Sequence, residues 1–181
     1  LANVPANMTV EATGPSGAVV TFGGATASDI ADAAPVVTYS PVSGSTFALG
    51  LRTVTVTARD ASNKTSTATF TLRVRDTTPA AIAGVPANIT QEATGPTGAA
   101  VTYTMPTATD LVTSPITVST SHPSGSTFPL GPTTVTFSAM DAAGNTSMAT
   151  FIVTINDTTP PAFTGVPANI TQEASGPSGA L

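Results

Sequence analysis

Cysteine and tryptophan are absent, and histidine occurs once, at His122. The chain therefore has no disulfide framework and no thiolate metal site, and a lone imidazole supplies neither a zinc ligand set nor a nucleophile–base pair. Charged residues make up 8 % of the 181 and aromatics 5 %, too few of the latter for a base-stacking platform. Five basic against ten acidic residues give a formal charge of −5, which excludes the basic face on which nucleic acid or an anionic membrane docks. No apolar run approaches the roughly 18–20 residues of a membrane-spanning helix. Serines are plentiful, yet no Gly-x-Ser-x-Gly elbow occurs, and Gly14–Gly17 and its copies lack a phosphate-loop lysine and read as turns. These absences predict a non-enzymatic chain that requires no cofactor.

What is present is repetition. Val4-Pro5-Ala6-Asn7 recurs at 85–88 and 166–169, Ser43–Phe47 at 124–128, Leu49-Gly50 at 130–131 and Asp76–Pro79 at 157–160, a gapless period of 81 residues. Self-similarity at a fixed period predicts an array of like units. The expected organisation is one module over 1–78, a second over 79–159, and a linker and first strand of an incomplete third over 160–181, as in a window on a longer array.

Inside a module the apolar period is two. Val54, Val56 and Ala58 alternate with threonines, as do Phe70, Leu72 and Val74; Val135, Phe137 and Ala139, then Phe151, Val153 and Ile155, answer in the second copy. This is the pattern of half-buried strands. Further strands are expected over about 7–12, 18–23 and 35–40, with a short piece from Phe47 to Leu49. Asp60–Asn63 and Asp141–Asn145 carry hairpin-turn residues. Six or seven short strands in about 80 residues predict an all-β fold of tandem immunoglobulin-like sandwiches. Proline in the Asp-Thr-Thr-Pro connectors predicts a stiff, extended joint, with Ile82 or Phe163 as an apolar plug behind it.

In fixed order, Asp-Thr-Thr-Pro-Pro, Pro-Ala-Asn-Ile-Thr, Glu-Ala-Thr-Gly-Pro-Ser-Gly, Gly-Ser-Thr-Phe-x-Leu-Gly and Asp-Ala-Ala-Gly-Asn resemble the hyalin repeat, or HYR, module over the whole chain. The resemblance implies an immunoglobulin-like extracellular module linked to adhesion and matrix structure. Many members of that family carry two cysteines, expected to pair, at positions that correspond here to Val4 with Tyr39 and Val85 with Thr120. Their loss removes a crosslink typically worth about 2–4 kcal/mol and points to a microbial surface protein rather than the animal type.

Nine of the ten carboxylates fall on four repeated positions: Glu11, Glu92 and Glu173; Asp29 and Asp110; Asp60 and Asp141; Asp76 and Asp157. All five basic residues lie in the first module without a cationic counterpart in the second, so salt bridges do not explain the acids. In a sandwich, Asp110 and Asp141 are expected to approach Asp76 at the first joint, with Glu11 pointing there from the preceding module. Together with backbone carbonyls these four could supply the oxygens that Ca²⁺ prefers, making Glu11, Asp76, Asp110 and Asp141 the candidate metal set. The alternative is that the aspartates start turns or cap loops and the glutamates are solvated strand ends.

Six of seven asparagines head an Asn-x-Ser/Thr triplet, among them Asn7, Asn88 and Asn145, so attached glycans are an open expectation. Residues 163–181 repeat 1–19, and this unpaired first strand is a candidate for strand addition to a neighbour and filament assembly. The leading expectation is a structural and adhesive repeat module of an extracellular or cell-surface fibre, a spacer that contacts copies of itself or other surface proteins. The alternative is a carbohydrate- or receptor-binding accessory module of a larger secreted protein. That reading asks for an aromatic patch, which the composition disfavours.

Overall fold

Alternating apolar and threonine positions build two copies of one two-sheet unit. The structure, a computed structural model, describes residues 1–179; the last two residues of the expected 160–181 segment lie outside them. The first unit comprises β1 (Met8–Glu11), β2 (Ala18–Val19), β3 (Val36–Ser40), β4 (Thr46–Phe47), β5 (Gly50–Arg59) and β6 (Thr65–Arg75). The second comprises β7 (Ala81–Ala83), β8 (Ile89–Glu92), β9 (Ala99–Ala100), β10 (Thr107–Thr109), β11 (Val118–Thr120), β12 (Thr127–Phe128), β13 (Gly131–Met140) and β14 (Thr146–Asn156). No helix occurs among the described residues.

Each unit has a four-stranded sheet, ordered β1-β6-β5-β3 in the first and β8-β14-β13-β11 in the second. The long hairpin strands pair antiparallel, and the first strand of the sheet runs parallel to the last. The smaller layer holds β2 with β4 in the first unit, and β9 with β12 and β7 with β10 in the second. The chain therefore enters the second unit on one layer, through β7, and crosses to the other as β8. In the first unit a single bridge, Ala2 to Thr26, stands where β7 pairs with β10. This is an immunoglobulin-like β-sandwich.

Its core is the inward set of the alternation. Val54, Val56, Phe70, Leu72 and Val74 pack with Ala18, Val20 and Phe47; Val135, Phe137, Phe151, Val153 and Ile155 pack with Ala99, Val101 and Phe128. The expected strand over 18–23 shortens to two residues. Val20 still exchanges backbone bonds with Ser45 and Gly44, but Gly24, at φ +94°, leaves the extended region beyond it. Ile82 is half-buried against the second core, whereas Phe163 is 94 % exposed.

The two cores place their aromatic bulk differently. In the first, Phe22 meets Tyr39, Phe47 and Phe70 edge-on at 5.2–5.9 Å. In the second, Tyr103 sits edge-on to Phe137 and Phe151, which stack on one another at 5.7 Å. Tyr39 faces Val56 in the strand register, and Thr120 faces Phe137. One ring has thus moved from one strand to its cross-strand partner.

Candidate functional site at the joint between modules

Parallel pairing carries Glu11 to the end of β6, level with Arg75, where the chain leaves the sheet. There its carboxylate accepts the Thr77 backbone N–H at 2.7 Å, the Thr77 hydroxyl at 2.8 Å and the Thr78 hydroxyl at 3.1 Å. Glu92 accepts the same three groups of Thr158 and Thr159 at 2.7–3.0 Å. Each module therefore clamps the connector that leaves it. The Thr77 and Thr158 backbone N–H groups, then their hydroxyls, hold both glutamates below the ordinary carboxyl range, because a charged acceptor strengthens these bonds.

A carboxyl whose folded pKa is depressed contributes stability above its unfolded pKa, and that contribution disappears as pH falls through the folded value. Glu92→Gln is accordingly expected to melt below the unaltered chain at neutral pH. The gap should narrow as pH falls below the ordinary carboxyl range and through the lowered folded value, as followed by circular dichroism melts across the acid range.

The second module grips the same connector from the other side. The turn joining β13 to β14 is closed by the Asp141 N–H donating to the Asn145 carbonyl, while Asp141 Oδ1 accepts the Asn145 N–H at 2.8 Å. The Asn145 side-chain amide then donates to Asp141 Oδ2 at 2.8 Å and, across the joint, to the Asp76 carbonyl at 3.3 Å. Asp110 Oδ1 accepts the Val112 and Thr113 N–H groups, both at 2.8 Å. This fixes a loop whose Val112 packs against the core of the first module. An open cleft of about 670 Å³ runs along the joint, lined from one side by Arg73, Arg75 and Thr77 and from the other by Thr113, Ser114 and Ala142.

Asp76, Asp110 and Asp141 meet here, each offering a carboxylate oxygen within 4.8 Å of the others. Asp76 is 6 % and Asp141 4 % exposed. Asp76 Oδ1 accepts the Thr78 N–H at 3.2 Å, but Asp76 Oδ2 is buried without a hydrogen-bond partner. Burial raises the Asp76 carboxyl above the ordinary range; the Thr78 N–H opposes this, and the like charges of Asp110, Asp141 and Glu11 add to it. For Asp141 burial also pushes upward, but the side-chain and backbone bonds from Asn145 prevail and leave it lowered.

The repeat provides an internal control. Asp157, the copy of Asp76 with no complete module behind it, is exposed; so is Asp29, the copy of Asp110, and Asp60 is only half-buried where Asp141 is buried. Burial of Asp76 and Asp141, with Asp110 half-buried beside them, thus accompanies the docking of one module on the next. Of the four residues expected at this joint, Glu11 has its carboxylate on Thr77 and Thr78 and stands outside the trio. Asn145 and Val112 were not anticipated. Their signal in the sequence is faint, since the first-module counterparts are Lys64 and Ala31. His122 has its Nδ1 at 3.0 Å from the Ser121 hydroxyl, with its ring tilted over Phe128, which accounts for it as a loop residue.

Comparison with known proteins meets this geometry at the modular boundary. The HYR domain pattern matches residues 2–74 and again 75–155. The chain belongs to the HYR domain family. Among sequences, the tandem HYR pair is 40 % identical to hyalin of Lytechinus variegatus over 82 % of this chain and 29 % of that protein. It is 38 % identical to hyalin of Strongylocentrotus purpuratus over 88 % of this chain and 14 % of that one. The chain thus spans less than a third of either relative's length. Among solved structures it is similar to the protocadherin gammaB4 extracellular domain, with TM-score 0.36 and 17 % identity over 83 % of this chain and 31 % of that one. It is also similar to human protocadherin-24 EC1-2, with TM-score 0.35 and 16 % identity over 88 % and 97 %. No helix of this HYR pair, among the described residues, is long and apolar enough to cross a membrane.

Proposed function

We propose that this HYR pair is a non-enzymatic segment of an extracellular or cell-surface array, serving as a spacer and as a surface for contact with neighbouring copies or other surface proteins. The observation that carries this reading is the joint held from both sides. Glu11 clamps Thr77 and Thr78 from the module the connector leaves, and Asn145 and Val112 engage it from the module it enters. A connector tied at both ends loses the hinge freedom that a free linker would have, and so transmits position from one sandwich to the next. The exact repetition of the Glu92 clamp on Thr158 and Thr159 supports propagation of the same geometry along an array.

Assembly by strand addition through residues 163–181 is a further part of the proposal. Phe163, Val166 and Ile170 are exposed, whereas their counterparts Ile82, Val85 and Ile89 pack against the second core. In an array they are covered by a partner sandwich. Small-angle scattering of the chain, and of a version ending at residue 162, tests both parts. Two ten-residue strand lengths laid end to end predict a maximum dimension of about 70–80 Å, against about 40 Å for one compact globule of this length. A compact particle would remove the spacer reading. Equal self-association of the two versions would remove strand addition alone.

A further inference from the structure

The geometry points to a Ca²⁺ site built by Asp76, Asp110 and Asp141 across the joint, so that docking of one module on the next is linked to the cation. This rests on the spacer reading and specifies how its joint is regulated. Three carboxylates offer oxygens within 4.8 Å of one another, and the like charges of Asp110, Asp141 and Glu11 all bear on Asp76. Asp76 is more than nine-tenths buried, and its Oδ2 has no hydrogen-bond partner. A buried carboxylate oxygen is costly to leave unmatched, and the remedy consistent with two further aspartates at this spacing is a cation.

The carboxylates are already oriented for that task. One oxygen of each is held by backbone N–H groups: Thr78 for Asp76, Val112 and Thr113 for Asp110, and Asn145 for Asp141. Ligand reorganisation on binding is therefore small. The donors are all oxygen, without histidine or cysteine, which selects a hard cation over zinc or copper. Opposite ligands of Ca²⁺ lie about 4.6–5.2 Å apart and those of Mg²⁺ about 4.0–4.2 Å. Oxygens within 4.8 Å of one another can share one such ion, and the irregular, flexible coordination of Ca²⁺ asks less of their placement than the strict octahedron of Mg²⁺. Asp76 stands on the connector just after the last strand of the first sandwich, while Asp110 and Asp141 stand on loops of the second, so the set is complete only where the connector is seated against the second sandwich.

The test is calorimetric titration of the metal-stripped chain with CaCl₂ and, separately, MgCl₂, alongside thermal melts and scattering in EDTA. One Ca²⁺ per chain is expected, with Kd in the range of about 10⁻⁴–10⁻³ M typical of extracellular modules, weaker Mg²⁺ binding and a higher melting temperature with Ca²⁺. Asp76→Asn with Asp110→Asn should weaken Ca²⁺ at least about tenfold, comparable to the loss of one to two charged ligands, while both asparagines keep an oxygen for the backbone bonds. In EDTA this variant should melt no lower than the unaltered chain, because like-charge repulsion has been removed. Asp29→Asn with Asp60→Asn, at the first-module counterparts of Asp110 and Asp141, should leave Ca²⁺ binding at the joint unchanged. No heat and no shift in melting temperature at about 10 mM Ca²⁺, or equal affinity in the Asp76/Asp110 variant, overturns the site. An extended particle in EDTA together with that result leaves the spacer reading standing, whereas a compact particle removes the spacer itself.

Discussion

Gly98→Ala is expected to unfold the second module while the first still melts cooperatively. Gly98 lies at φ +105°, and a Cβ built there falls 1.8 Å from the Phe128 carbonyl oxygen and 2.8 Å from the Phe128 carbonyl carbon. An L-residue in the left-handed region costs about 1–2 kcal/mol by itself. The clash is with backbone rather than a side chain that can turn away, so β9 must part from β12. Phe128 is fully buried in the core on β12, and displacing it forfeits its packing as well. The combined loss is expected to exceed about 4 kcal/mol, comparable to the whole stability of a module of about 80 residues at roughly 0.05–0.15 kcal/mol per residue. Gly95→Ala in the same turn is the control. Its Cβ meets nothing within 4 Å and its φ is not positive, so a change below about 1 kcal/mol is expected. Calorimetry of the tandem chain should show one transition lost with Gly98→Ala and both retained with Gly95→Ala.

Truncating Phe137 to Ala is expected to destabilise the second module by about 3–5 kcal/mol, read as a fall in its urea midpoint at unchanged slope. The ring is wholly buried, stacked on Phe151 and edge-on to Tyr103. Its cross-strand partner Thr120 carries no ring to fill the space, whereas in the first module that partner is Tyr39, opposite Val56. That difference supports a sharper test. Phe137→Val reproduces Val56 and should lose part of the stability, whereas Phe137→Val with Thr120→Tyr reproduces the first module's registered pair and should recover most of it. The two substitutions are in contact and are expected to be non-additive by about 0.5–3 kcal/mol. Additive losses would show that the two cores are not interchangeable solutions of one packing problem.

The clamps were harder to read than the core. When only neighbours in sequence are considered, both Glu11 and Glu92 look like solvated strand ends, and Glu11 also like a metal ligand. Their partners Thr77, Thr78, Thr158 and Thr159 lie 66–67 residues away. The parallel placement of β1 on β6 brings them together, and no local pattern encodes a parallel neighbour. Asn7 and Asn88 are similar. Each side-chain oxygen accepts a backbone N–H of the last long strand, from Thr71 and Ile152 at 2.8 Å, which gives these glycosylation-triplet asparagines a structural task.

Taken alone, the residues determined the period of 81, the strand character of each segment and the inward set of side chains, because periodicity and turn chemistry act over a few residues and are written locally. The tertiary structure decided which carboxylates are buried. Asp76 and Asp157 occupy equivalent positions, each followed by Thr-Thr-Pro, yet only Asp76 is covered, because only it has a docked module in front of it. It also decided which strand of a facing pair carries the aromatic ring, since a core fixes the total volume between registered positions and leaves the division between them free.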